Sequence, residues 1–331
     1  MTTRAVHTSD TDFATQPSAP APALGTGRQI LRAAALAATL PYLALKAAWL
    51  GGSRIGIPDG SVLLERGLFF TVANAATLVM DATVILLVLV LTRPWGTRVP
   101  SWLMILPVFV ATGLLTPILT AFPGQMLVKA LGMGADEAAQ AARVPFLDPW
   151  VFNVVYSGFM LQGLALAGLF VPYARERWGT RWQGVLGKRL PSPTGVVAGA
   201  SAALGTVVAA THLYWAFGGT AGLSKDQVAV YSAETGVVNV VHALCALAAA
   251  AGVLLLARGG DRAVRWPLCL AWIGSAATFS WGAWLLIAVL GPDVAGGSPS
   301  TMIYLAYSGQ MITGMLGAAV LTRFLASRRT V

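Results

Sequence analysis

Three ionisable side chains stand where so apolar a chain has least reason to keep them: Lys46, Asp81 and His212 fall inside long hydrophobic runs. A charged or amide group within a bilayer is costly enough that each is a functional candidate by default. Lysine and histidine are bases, and two bases flanking one substrate suit proton abstraction and return. That is the chemistry of a cofactor-free isomerase or epimerase, with Asp81 or a tyrosine assisting. Asp81, His212 and His242 would equally serve as a proton relay in a transporter. Around them lie amides, hydroxyls and rings: Trp49, Asn74, Asn153, Tyr156, Ser157, Trp215, Asn239, His242, Tyr307, Ser308 and Gln310. Together these read as the lining of a polar, aromatic pocket for a lipophilic or small ligand. Each also has a plainer role. Lys46 can snorkel to the interface, and the two tryptophans can anchor there. The tyrosines, serines and histidines can serve as hydrogen-bonding packing groups.

Other chemistries have no foothold. The chain has no His-Glu-x-x-His, no Gly-x-Ser-x-Gly and no phosphate loop. Its two cysteines, Cys245 and Cys269, lie in apolar runs without metal-ligand or redox spacing. Neither a metal nor a cofactor is expected.

The elements that position these residues are membrane spans. Of 331 residues, 56% are hydrophobic and only 11% charged, with a mean hydropathy of +0.70; a soluble chain carries about a quarter charged residues. The fold class is therefore an all-α, polytopic helix bundle. Eight runs reach the roughly 20 apolar residues needed to cross a bilayer: 30–50, 68–92, 101–122, 150–173, 195–217, 233–257, 266–290 and 301–323. The net charge of +9 sits in short loops, so it encodes topology; no basic face with interleaved aromatics invites nucleic acid. Placing both termini in the cytoplasm puts 16 of the 22 lysines and arginines on that side and five outside, as the positive-inside rule requires. Residues 1–27, rich in Ala, Pro, Ser and Thr, read as a disordered cytoplasmic tail.

The chain also repeats itself. Leu45-Lys-Ala-Ala-Trp-Leu-Gly-Gly-Ser-Arg-Ile-Gly56 echoes Thr211-His-Leu-Tyr-Trp-Ala-Phe-Gly-Gly-Thr-Ala-Gly222, with Lys46 matching His212 and Trp49 matching Trp215. Asn74 precedes Arg93 by 19 residues, as Asn239 precedes Arg258. Tyr156-Ser-Gly-Phe-Met-Leu-Gln-Gly163 pairs with Tyr307-Ser-Gly-Gln-Met-Ile-Thr-Gly314. Two parallel four-helix repeats follow, 28–173 and 194–323, related by an axis along the membrane normal. A basic linker, 174–193, carries Trp178 and Trp182 toward the inner headgroups, and a basic tail, 324–331, ends the chain. Glycines on helices four, five and eight, among them Gly158, Gly163, Gly195, Gly199 and Gly314, would let helices approach closely. In this topology the polar residues gather toward the outer side, and Asp81 lies deepest.

His212-Leu-Tyr-Trp215, followed by Gly218-Gly219 and Gly222, resembles a family of small bacterial integral membrane proteins defined only as a domain of unknown function. In that family the motif closes the outer end of an early helix. The second repeat carries the pattern; the first has Lys46 in the histidine's place. The resemblance implies a multi-pass plasma-membrane protein and no particular activity. The Ala/Gly/Arg-rich style with a Pro-Ser-Pro linker is similar to actinobacterial proteins. The partners expected are the lipid bilayer and a hydrophobic small molecule or peptide.

Overall fold

The computed structural model describes residues 25–65, 67–143, 146–291 and 299–328. Most of the tail read over 1–27 and the last three residues lie outside them. Among the described residues there are eight long helices: α1 (Thr26–Leu50), α2 (Leu68–Thr92), α3 (Ser101–Ala130), α5 (Pro149–Trp178), α6 (Ser192–Ala216), α8 (Ala233–Arg258), α9 (Arg265–Leu290) and α10 (Thr301–Ser327). Two single-turn helices, α4 (Glu137–Ala141) and α7 (Lys225–Ala229), sit in connections at one end of the bundle. Asp136 caps α4 by accepting from the Ala139 N–H at 2.8 Å.

Helices of 25–30 residues extend about 37–45 Å at 1.5 Å per residue, more than a hydrocarbon core about 30 Å thick. Seven of them are both long and apolar enough to span. The chain is thus a multi-pass helical membrane protein. The run 301–323, expected as an eighth span, does fold as the long helix α10. Tyr304, Tyr307, Ser308, Gln310 and Thr313 hold its hydropathy below that of the other seven. Its most polar face is turned inward: Gln310 and Thr313 are wholly buried.

Helices α6, α8, α9 and α10 pack closely on one another. Glycines set these crossings, because lipid supplies no hydrophobic force between helices and close backbone approach must serve instead. A Cβ on Gly252 would lie 2.2 Å from the Ala271 nitrogen, and one on Gly314 would lie 2.3 Å from that of Phe279. Gly195 and Gly199 belong to no such crossing, since a Cβ on either meets nothing within 4 Å. Small-xxx-small spacing alone does not choose the face that packs. In the other four long helices, α1 lies along α5, while α2 touches its neighbours sparsely. The two sets join through α3, which packs on α9 and α8.

At the opposite end of the bundle the basic linker expected over 174–193 has structure of its own. α5 does not stop at residue 173 but runs on to Trp178, through residues of good helix propensity, and ends at Gly179. Trp178 and Trp182 then pack into the apolar cores instead of pointing away from them. Further on, β1 (Val185–Gly187) pairs antiparallel with β2 (Gly260–Ala263). Among the described residues the fold is therefore helical apart from one short two-stranded ladder, which satisfies backbone groups that two adjacent connections would otherwise leave open. Basic side chains close this end by donating to carbonyls. Arg177 reaches Gly96, Val99 and the Tyr173 hydroxyl. Arg328, in the basic tail expected over 324–331, reaches Arg181, Gln183 and Val185.

Candidate functional site

The two echoed motifs build the same local structure. After α1, the Trp49 indole N–H donates to the Ile55 carbonyl at 2.8 Å. After α6, the Trp215 indole donates to the Ala221 carbonyl at 3.0 Å. In each case the acceptor lies six residues on, and the bond folds the following loop back over the helix end. Both indoles are buried, at 5% and 3% exposure. They tie loops inward and do not face lipid as belt anchors would.

The loops need positive φ three and seven residues after the tryptophan: Gly52 (96°) and Gly56 (71°) in one, Gly218 (84°) and Gly222 (80°) in the other. The glycine doublets are thus out of step by one residue, and only one member of each takes the left-handed turn. Gly56 and Gly222 also lie against the fourth helix of their set. A Cβ there would come within 2.2 Å of Val151 Cγ2 or 2.5 Å of Met302 Cγ. Gly222→Ala is expected to lower stability by about 1–3 kcal/mol from backbone strain alone, and further through the collision. Gly60→Ala, at φ 80° with open space around it, reports the strain without the collision. Thermal unfolding in detergent should show the larger midpoint drop for Gly222→Ala. Equal drops would remove the seating argument.

Behind the second loop lies a buried polar row across three helices. His212 Nδ1 is 2.8 Å from Asn239 Oδ1 and its Nε2 is 3.2 Å from Gln310 Oε1, while Gln310 Nε2 is 3.1 Å from His242 Nδ1. Asn239 donates its amide N–H to the Thr235 carbonyl at 3.0 Å. That bond turns Oδ1 toward His212, so His212 Nδ1 is the donor. A neutral imidazole has one N–H, so its Nε2 accepts, and Gln310 must offer its NH2. The opposite amide orientation suits a His212 protonated on both nitrogens. Each orientation of Gln310 therefore matches one proton count on the row, with His242 Nδ1 donating in the first and accepting in the second. The imidazoles stand 5.2 Å apart. Trp215 and Trp281 meet them edge-on at 5.5 and 5.6 Å, and the Trp281 indole donates to the Leu114 carbonyl of α3 at 3.0 Å.

Behind the first loop the row is simpler and unbalanced. Lys46 Nζ donates to Asn74 Oδ1 at 2.7 Å, and Asn74 donates to the Phe70 carbonyl at 3.0 Å, as Asn239 does to Thr235. The ammonium lies 4.8 Å from the Tyr42 ring centre and 5.2 Å from that of Trp49, within cation–π range. Asp81 lies two turns beyond Asn74 on the same face of α2, only 5% exposed, and its Oδ2 has no hydrogen-bond partner. It forms no ion pair with Lys46; among the described residues the ion pairs are Arg28–Glu176 and Arg143–Glu234.

The remaining candidates divide. Tyr156 stacks on Phe122 at 5.4 Å, and Tyr42 meets Phe159 at 5.1 Å, walling the first site. Tyr307 and Ser308 are half-buried, with Tyr307 against Trp215, Ile303 and Ala306. Asn153 and Ser157 are exposed. They share one stripe of α5, while Val151 and Val155 occupy the buried stripe, so neither joins the row. Lys46 and His212 sit in separate rows that share no hydrogen-bond partner. Two participants escaped the sequence reading. Tyr42 stands four residues before Lys46, a same-face spacing that could have flagged it. Trp281 lies on α9, and no pattern in that helix marks it. Among the described residues, no group of three or more His, Cys, Asp or Glu is arranged to hold a metal.

Compared with protein-family models, curated proteins and solved structures, the chain matches none.

Proposed function

We propose that this is a bacterial plasma-membrane protein of eight spans, in two parallel repeats (28–173 and 194–323) with both termini cytoplasmic. In this reading it binds a small or lipophilic ligand within the membrane at Lys46, Asn74 and Asp81. The paired Trp-to-carbonyl bonds, the left-handed glycines at matched spacing and the two asparagines pinned to the carbonyl four residues back support the duplication. The basic-residue asymmetry supports the orientation. Membership of the His-x-x-Trp family is proposed on the same motif.

One observation carries the ligand: Asp81 Oδ2, buried without a partner in the half that also buries Lys46 on a single neutral amide. A buried ammonium held by one amide and a buried carboxyl oxygen with no hydrogen-bond partner are each costly unless something completes them. In the second half Gln310 completes the row. By the Tyr-Ser-Gly register, Phe159 takes that place in the first half and offers no hydrogen bond. The ligand so defined carries an acceptor for the Lys46 ammonium and a donor for Asp81, joined by an apolar body that Tyr42, Trp49 and Phe159 cover.

The test is mass spectrometry of small molecules that co-purify with the full chain. Asp81→Asn and Lys46→Gln should each reduce the bound species about tenfold or more, as loss of a charge-assisted hydrogen bond implies. Equal recovery from wild type and both variants would sink the reading. Transport is the second reading, favoured by the sparse packing of α2, which leaves that helix freest to move. It predicts proton-coupled uptake in liposomes that Asp81→Asn abolishes.

A further inference from the structure

The two halves also differ one layer deeper than the rows. In the second half Gly205 of α6, Ala246 of α8 and Thr313 of α10 meet. A Cβ on Gly205 would lie 3.1 Å from Thr313 Cγ2 and 3.2 Å from the Ala246 carbonyl oxygen. The Thr313 hydroxyl donates to the Gly309 carbonyl at 2.8 Å, so the junction is small and its one side-chain donor is used.

Two crossings carry the same register into the first half. Lys46 meets Asn74 as His212 meets Asn239, which sets α1 on α2 as α6 is set on α8. A Cβ on Gly158 would lie 3.1 Å from the Ala38 carbonyl oxygen, and one on Gly309 would lie 3.5 Å from Leu204 Cδ1. That sets α1 on α5 as α6 is set on α10. By this register the counterparts of Gly205, Ala246 and Thr313 are Thr39, Asp81 and Gln162. These three polar side chains are only 1%, 5% and 2% exposed.

Their hydrogen bonds do not close among themselves. Thr39 Oγ1 donates to the Leu36 carbonyl at 2.7 Å, which leaves it only acceptor capacity. Asp81 Oδ2 is an acceptor and Gln162 Nε2 a donor; both are buried without a partner, and each is costly to leave so. A third group that completes both must donate to Asp81 and accept from Gln162 at once. An ammonium has donors only and a carbonyl acceptors only, whereas a hydroxyl has both. We infer that the inner end of the ligand is a hydroxyl held between Asp81 and Gln162, and that Gln162 selects it over an amine. This inference rests on the Lys46 site proposed above and names its ligand class, a lipophilic hydroxy acid. The Lys46 ammonium has three N–H donors and gives one to Asn74; a carboxylate takes the other two. Asp81 follows Asn74 by seven residues, about 10 Å along α2 at 1.5 Å per residue, so a short carbon chain separates the ligand's polar ends.

Titration calorimetry on the full chain in nanodiscs, with empty discs subtracted, tests this with 8-hydroxyoctanoate, octanoate and 8-aminooctanoate. Wild type should bind 8-hydroxyoctanoate about tenfold more tightly than octanoate, as one charge-assisted hydrogen bond implies, and more tightly than 8-aminooctanoate. Gln162→Leu should weaken 8-hydroxyoctanoate about fivefold, the equivalent of one neutral hydrogen bond, and leave octanoate unchanged. Gln162→Glu, whose carboxylate only accepts, should reverse the preference toward 8-aminooctanoate. Each preference is a ratio within one variant, so it does not depend on the fraction that folds. Equal binding of 8-hydroxyoctanoate and octanoate, both weakened in Lys46→Gln, would overturn the hydroxyl, assign a buried water to Asp81 and Gln162, and leave the Lys46 site standing. A wild-type preference for 8-aminooctanoate would overturn it as well. No binding of any of the three would overturn the hydroxy-acid class, while a co-purified molecule still lost from Asp81→Asn and Lys46→Gln would keep the Lys46 site. Binding that Lys46→Gln leaves unchanged would overturn both.

Discussion

Gln310→Leu is expected to lower the unfolding free energy by about 2–5 kcal/mol while leaving the helix count intact. The side chain is wholly buried and bridges His212 on α6 to His242 on α8 from its place on α10. Leucine fills nearly the same volume, so little cavity arises. What is lost is one partner for each of two imidazole nitrogens, and each buried group left unpaired costs about 1–3 kcal/mol. Gln310→Glu separates this account from simple packing. An ionised carboxylate only accepts, so both histidines would have to donate to it. His212, already donating to Asn239, would then carry protons on both nitrogens. Nitrogen-15 spectra of labelled histidine should show that change in His212, and a thermal midpoint for Gln310→Glu above that of Gln310→Leu. A Gln310→Leu protein as stable as wild type would mean that the row contributes nothing to the fold.

Much of this site was legible in the sequence because its parts are local. His212 and Trp215 are three residues apart on one helix face, and the glycines that follow are needed at fixed offsets from the tryptophan. A motif of that kind survives in a single chain. The echo at Lys46 and Trp49 was visible for the same reason, although only backbone angles reveal which glycine of each doublet does the turning. Facing was harder. Asn153 and Ser157 have the chemistry of pocket residues, yet their stripe on α5 points outward, since a nearly uniform apolar helix gives no amphipathic signal to orient it. Gly195 and Gly199 misled in the same way. Trp281 was invisible because its role depends on α3 and α9 meeting, a contact between distant stretches of chain. Asp81 was flagged by depth alone, and its missing partner is a property of three dimensions.

The contact between α3 and α9 is also a place where a single methyl group has strong leverage. Gly113 of α3 faces the α9 backbone so closely that a Cβ would stand 2.1 Å from the Ala276 carbonyl oxygen. Backbone cannot move aside as a flexible side chain can, so the helices must separate. Gly113→Ala is expected to cost about 3 kcal/mol or more, at or above the upper end for overpacking, and Gly113→Leu more again. The damage should be directional. Within α6, α8, α9 and α10 the close crossings at Gly252 and Gly314 are untouched, so the His212–Gln310–His242 row should persist. Two bonds that bind the halves should weaken instead: Trp281 to the Leu114 carbonyl and Trp272 to the Thr112 hydroxyl. Tryptophan fluorescence and hydrogen exchange can distinguish these outcomes. Faster exchange confined to α1, α2, α3 and α5, with α8 and α10 still protected, is the expected pattern. Uniform loss of protection across all eight long helices would mean that the protein unfolds as one cooperative unit, and that α3 is part of a common core and not a hinge between two.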